Sequence, residues 1–151
     1  MTRLSGWGIE VETLPGWDAH LYRRPRPERG VTRPVLHLAN FQLPPGRGDY
    51  GSGAVERMGP GHVLVVMLEM DPSSASTALY SSRGVPVMVP EEAFAPTTLQ
   101  RGVPGQSGAQ RFFQEAGRAF SLYAVLGGQT RRSALVAAVN RALAGIAIGP
   151  S

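Results

Sequence analysis

The chain contains no cysteine and no lysine. Without cysteine it can build neither a disulfide framework nor a thiolate zinc site, and its redox compartment is left open. Without lysine, all 15 of its positive charges are arginine. That usage fits the codon bias of a GC-rich bacterial genome. Guanidinium groups also suit bidentate contact with carboxylate or phosphate. Against 11 carboxylates the formal net charge is +4 over 151 residues. An excess that small gives nucleic-acid binding little support. Long apolar runs are missing too, since a stretch such as 63–68 falls far short of the ~20 residues a membrane span needs. Residues 1–20 lack the apolar core of a secretory signal, so a soluble, cytoplasmic protein is expected.

Glycine and proline, by contrast, are abundant. Their 19 and 13 residues make about a fifth of the chain against roughly 12% in average usage, which favours strands and turns over a helical bundle. The length suits a single domain over 1–151. Strict alternation through Ile9-Glu10-Val11-Glu12-Thr13-Leu14 predicts a half-buried strand. Pro15-Gly16 then predicts a type II turn. Residues 18–23 read as the returning strand, with Ala19 and Leu21 on one face and His20 and Tyr22 on the other. The prolines of Arg23-Arg24-Pro25-Arg26-Pro27-Glu28-Arg29 make that tract a loop.

Residues 35–43 form the next strand candidate, closed by Pro44-Pro45-Gly46, and a short helical turn follows around 54–58. The run 62–70 shows no polar alternation until Glu69. It reads as a central strand buried on both faces. Prolines through 71–110 exclude a long helix, and 85–89 is a possible short edge strand. An irregular segment of that length either makes functional contacts or covers a sheet edge. Arg111-Phe112-Phe113-Gln114 and 119–126 predict a hairpin. Residues 131–148 form the one convincing long helix, with Thr130 as its cap. Its stripe is Leu135, Val139, Ala142 and Ile146, and Gly149-Pro150 ends it.

These elements imply an α+β, two-layer domain: a mainly antiparallel β-sheet of about five to six strands with a packed C-terminal helix. The residues that carry a family likeness are Leu14-Pro15-Gly16-Trp17, Met58-Gly59-Pro60-Gly61 and Arg111-Phe112-Phe113. With them the layout resembles the PsbP-like fold, an antiparallel sheet flanked by helices whose last element is a helix. It is also similar to short proteins of GC-rich actinobacteria. The resemblance implies a fold only, with no activity and no site residue attached.

No catalytic constellation stands out. His20, His37 and His62 show no metal-ligand spacing and read as structural or surface histidines, so neither a metal nor a cofactor is expected. Ser52 between Gly51 and Gly53 imitates a nucleophile elbow without a strand leading into it. With Asp49 and His62 it makes only a loose triad, the basis of a hydrolase alternative. The carboxylate pairs Glu10/Glu12 and Glu91/Glu92 fit solvated faces, and Arg47-Gly48-Asp49 is a chance-level tripeptide. Two basic groups remain. Arg23, Arg24, Arg26 and Arg29 form a candidate contact patch for a protein partner. Gly128, Thr130, Arg131 and Arg132 open the last helix as a candidate anion site. Arginine there opposes the helix dipole, so either an anion or a carboxylate such as Glu115 should compensate it. The leading reading is a non-catalytic protein-interaction or assembly module, through a protein partner or self-association. An anion- or small-ligand-binding domain is the alternative. Exposed apolar residues expected to serve contact are Trp7, Met88 and Phe94.

Overall fold

The computed structural model describes residues 2–23, 32–46 and 53–151. Among these residues eight strands and one α-helix follow in the order β1 (Arg3–Gly6), β2 (Ile9–Glu12), β3 (Asp18–Arg23), β4 (Pro34–Ala39), β5 (Val63–Glu69), β6 (Ser107–Glu115), β7 (Arg118–Leu126), α1 (Arg132–Leu143) and β8 (Ile146–Ile148). All pairings are antiparallel. Five strands form a sheet in the order β3-β4-β5-β7-β6, and three form a second in the order β1-β2-β8. The expected α+β architecture with an antiparallel sheet and a packed helix is therefore present. No described helix is long and apolar enough to cross a membrane.

The centre of the large sheet is the strand that the sequence marks most clearly. Every residue from Val63 to Leu68 is buried, because β5 has a strand on each side and a packed layer on each face. Val63, Val65 and Met67 join α1 and the small sheet in one core. Leu64, Val66 and Leu68 join Tyr123, Val125, Leu43 and Val55 on the opposite face. The β6–β7 hairpin turns on Ala116 and Gly117 at φ 53 and 74, the left-handed pair of a two-residue type I′ turn. At Pro15-Gly16 the Trp17 N–H donates to Leu14 O at 3.1 Å, and Gly16 has φ 81, as a type II turn requires.

Four local expectations are corrected. Strand 18–23 forms but does not return on β2; it pairs with β4, while β2 pairs with β1 and β8. Strand 35–43 ends early: at Asn40 the backbone N–H still reaches Val63 O, at 3.4 Å, but the side chain takes over the other half of the pair, accepting from Val63 N–H at 2.8 Å and donating to Gly61 O at 3.0 Å. Residues 85–89 are not a strand. The long helix stops at Leu143, so the last element is a strand rather than a helix. A Cβ at Gly145 would collide with the Glu12 carbonyl, whose own N–H donates to Gly145 O at 2.9 Å. The chain therefore enters β8 in contact with β2, and Ile146 and Ile148 pair with Val11 and Ile9. Side-by-side β-branched pairs of this kind stabilise a ladder.

A buried ion pair fastens the two sheets together. Arg118 of β7 donates to both carboxylate oxygens of Glu69 on β5, at 3.0 and 2.7 Å, with side chains 5% and 8% exposed. Its remaining Nη1 donates to Gly149 O at 2.8 Å, and Gly149 N–H donates to Gly8 O at 2.8 Å. Gly8 must be glycine at this spot, since a Cβ would strike Arg118 Nη1 and the Gly149 and Pro150 carbonyls.

The segment 71–106 is a chain of 3-10 turns, at Pro72–Ser76, Ala78–Tyr80, Glu91–Ala93 and Pro96–Thr98. Asp71 caps the first, accepting from Ser73 N–H and hydroxyl at 2.9 and 2.8 Å. Those two bonds, then Arg33, hold its carboxyl below the ordinary value. Its small contribution to stability is present above the unfolded-state pKa and is lost as pH falls through the lowered folded one. Burial raises the Tyr80 hydroxyl.

Replacing Arg118 by Met leaves Glu69 charged and unpartnered, so Arg118→Met should cost about 3–5 kcal/mol in chemical denaturation. The double variant Arg118→Met/Glu69→Leu should recover most of that loss, because no buried charge remains. A double variant as unstable as the single one would show that packing, not charge, is what Arg118 supplies.

Candidate functional site

Strand edges expose unpaired backbone groups, and this molecule treats its two large-sheet edges differently. The edge at β6 is covered at both of its ends. Gly108 exchanges both backbone bonds with Ala95, at 2.9 and 3.0 Å, and Gln114 bonds to Ser82 and Gly84, at 2.8 and 2.9 Å. The Arg111 guanidinium covers the Gln110 carbonyl at 3.1 Å. The segment 71–106 thus covers a sheet edge. Gln114 Nε2 ties it down through Ala75 O and Tyr80 O, and the Asn140 amide of α1 holds both backbone groups of Val89.

Among the described residues no strand lies beyond β3 at the other edge. Asn40 N–H donates to Val63 O and continues the β4–β5 ladder, so even-numbered residues of β4 face β5 and odd-numbered ones face β3. His37 then pairs with His20 in the ladder, and Ala19, Leu21 and Arg23 turn their backbone groups outward. The Ala19 N–H is satisfied by the Asp18 carboxylate at 3.0 Å. For Leu21, no described residue supplies a partner to either outward group. An open cleft of about 460 Å³ runs along this edge, lined by Leu4, Ala19, His20, Leu21, Tyr22, Pro45 and Gly46. No β4 residue lines it, which places it outside β3. Asp18 builds its far wall by accepting Leu43 N–H at 2.9 Å, just ahead of Pro44-Pro45-Gly46. On the near side, β1 approaches β3 until Leu21 Cδ2 would lie 3.5 Å from a Cβ on Gly6.

Trp7 and Arg23 link the strands that flank the cleft. The Arg23 guanidinium lies 5.1 Å from the centre of the Trp7 ring, a cation–π distance. Trp7 is 37% exposed and sits at φ 52 ahead of Gly8 at φ 77. A bulky side chain in the left-handed region is a strained choice where asparagine is the usual residue.

The sequence-derived candidates distribute unevenly over this geometry. Of the partner patch, Arg23 ends β3 at the cleft; Arg24, Arg26 and Arg29 lie outside the described residues, as do Arg47-Gly48-Asp49 and Ser52. Trp7 and Met88 are exposed as expected, whereas Phe94 is buried in the main core at 3% exposure. His37 is buried edge-on against Tyr22. His62 stacks on Phe41, and its Nδ1 accepts from Gly59 N–H at 2.9 Å. His20 Nε2 lies 3.7 Å from Asp18. Among the described residues no group of acidic and histidine side chains converges as a metal site.

At the start of α1, Gly128 is packed on Pro60, Thr130 is exposed and makes no cap, and Arg131 occupies the N-cap position without a side-chain cap bond. Arg132 is already occupied by protein acceptors. It donates to the carbonyls of Glu91 and Phe94, to Gln129 Oε1 and to Ser107 Oγ, and its Nε lies 3.5 Å from the Glu91 carboxylate. The acid that compensates this helix start is therefore Glu91, not Glu115. Sequence reasoning passed over the β3 edge, because strand order decides which edges are open and no local pattern encodes it.

Comparison of the chain with family models, with curated proteins and with solved structures found no match.

Arg132→Ala should strand two carbonyls of the covering segment and cost about 2 kcal/mol, while Arg131→Ala stays within about 0.5 kcal/mol. Amide exchange at Ala95 and Gly108 should accelerate in the first variant only. Equal losses from both variants would remove the clamp role of Arg132.

Proposed function

We propose that the chain is a non-catalytic protein-interaction module of a bacterial cytoplasm, and that it binds by accepting an extended segment along β3. One observation carries this reading: among the described residues the outward N–H and C=O of Leu21 have no partner and meet an open cleft, whereas the opposite edge of the sheet is covered at both ends. Strand addition uses such an edge directly, since main-chain bonds give affinity and the flanking side chains give selectivity. The edge carries no proline and is six residues long, close to a full ordinary strand. Arg23, with the arginines that follow it in sequence, supports the partner-contact reading of that basic tract. The second reading, an anion at Gly128, Thr130, Arg131 and Arg132, has less support, because the Arg132 donors already hold carbonyls and carboxylate of the chain itself.

A ten-residue peptide of alternating threonine and valine provides a neutral probe. Titrated to about 1 mM, a range suited to weak binding, it should shift the amide resonances of Ala19, Leu21 and Arg23. Leu21→Pro should abolish those shifts while keeping the fold, since the Leu21 N–H points away from β4 and is not part of the ladder. Shifts confined to β6, or none at all, would remove the strand-acceptor reading.

A further inference from the structure

We infer that the segment received by β3 belongs to another protein and carries a carboxylate two residues away from an aliphatic side chain. This inference rests on the interaction reading above and names the occupant of the same edge. Ala19, Leu21 and Arg23 share one face of β3, because side chains alternate along a strand. A residue of the incoming strand opposite Leu21 lands beside Leu21 and Leu4, both of which already pack against the main core. An aliphatic side chain fits there. The residue two positions along, in either strand direction, then stands opposite Arg23.

Among the described residues nothing accepts a hydrogen bond from the Arg23 guanidinium. Among the described residues its guanidinium has the Trp7 ring on one face and no carboxylate within ion-pair reach. Planar fork geometry makes a carboxylate the fitting acceptor. The acid at the other end of the strand cannot serve. Asp18 is held by the Ala19 and Leu43 N–H groups and by His20, and its side chain lies on the opposite face. Among the described residues the edge therefore has a satisfied acidic end and a basic end without an acid, on a chain whose net charge is +4.

The same parity argues against a second copy as the occupant. Directly opposed residues of an antiparallel pair point to the same face. Antiparallel pairing of two β3 strands can thus set Arg23 only against odd-numbered residues, which within β3 are Ala19, Leu21 and Arg23 itself. None of them is an acid.

The test uses the whole chain and three further fluorescein-labelled peptides beside the neutral one. One has glutamate in place of the valine two positions from the central valine; the second has lysine there; the third adds a central proline to the glutamate peptide. Anisotropy titrations at low ionic strength should show the glutamate peptide binding about tenfold tighter than the lysine peptide, with the proline version not binding. Arg23→Glu, a surface change that leaves the ladder intact, should invert that order, and added salt should narrow the difference. Equal affinity for the glutamate and lysine peptides overturns the acidic partner and leaves strand addition standing. Failure of the neutral peptide to bind overturns both. A wild-type dimer in light scattering that Leu21→Pro converts to monomer overturns the foreign segment in favour of a second copy.

Discussion

The Arg118–Glu69 pair decides where the small sheet sits on the large one. Glu69 ends the central strand, Arg118 begins β7, and the third donor of the same guanidinium reaches the chain beyond β8. Through Gly149 and Gly8 that connection runs on into the β1–β2 turn. Two charges withdrawn from water are tolerated only when their geometry is complete, and here each carboxylate oxygen and the spare Nη1 have partners. The result is positional. Once the β1–β2 turn is pinned beside Arg118, β1 lies alongside β3 without joining it, and a gap between the two sheets becomes a cleft.

The cover over the two ends of the opposite edge is the second half of the same design. Residues 71–106 bury Val89, Phe94 and Tyr80 fully and pack Val85, Ala93, Leu99 and Val103 against the two cores. They also bring carbonyls and N–H groups to Gly108 and Gln114. Side-chain amides and one guanidinium do the fastening: Gln114 and Asn140 each grip backbone groups of the segment, and Arg132 grips the carbonyls of Glu91 and Phe94. Among the described residues one edge of the sheet is covered at both ends and the other is not, so the two differ in their availability to strands from outside.

How much of this the amino-acid sequence discloses depends on the range of the interaction concerned. The central strand is legible, because 63–68 is apolar on both faces and only a strand between two neighbours and two layers explains that. The Pro15-Gly16 turn and the β6–β7 hairpin are legible as local chemistry. Helix α1 is legible until Ala144. There Ile146 satisfies two periods at once, completing the helical stripe of Leu135, Val139 and Ala142 and alternating with Ala147 and Ile148 as a strand. The choice falls to Gly145 and the Glu12 carbonyl, a contact between residues far apart in sequence. The same holds for the candidate site. The basic character of Arg23 is visible in the chain, but the openness of β3 follows from strand order, and the Leu4 wall follows from an ion pair on other strands.

Trp7 connects these levels. A type I′ turn at Trp7-Gly8 needs left-handed backbone at both positions, and glycine or asparagine at the first would meet that need with less strain. Core burial does not explain the tryptophan, since the ring stays partly exposed and does not belong to either hydrophobic cluster. What it touches is Arg23. Strain held at an exposed position is consistent with a contact surface rather than with packing. The ring restricts where the Arg23 guanidinium can go, so the ordering entropy of a long, flexible side chain is partly spent before any partner arrives. A cation placed in advance beside the β3 edge is what the proposed docking of an extended, acidic chain requires.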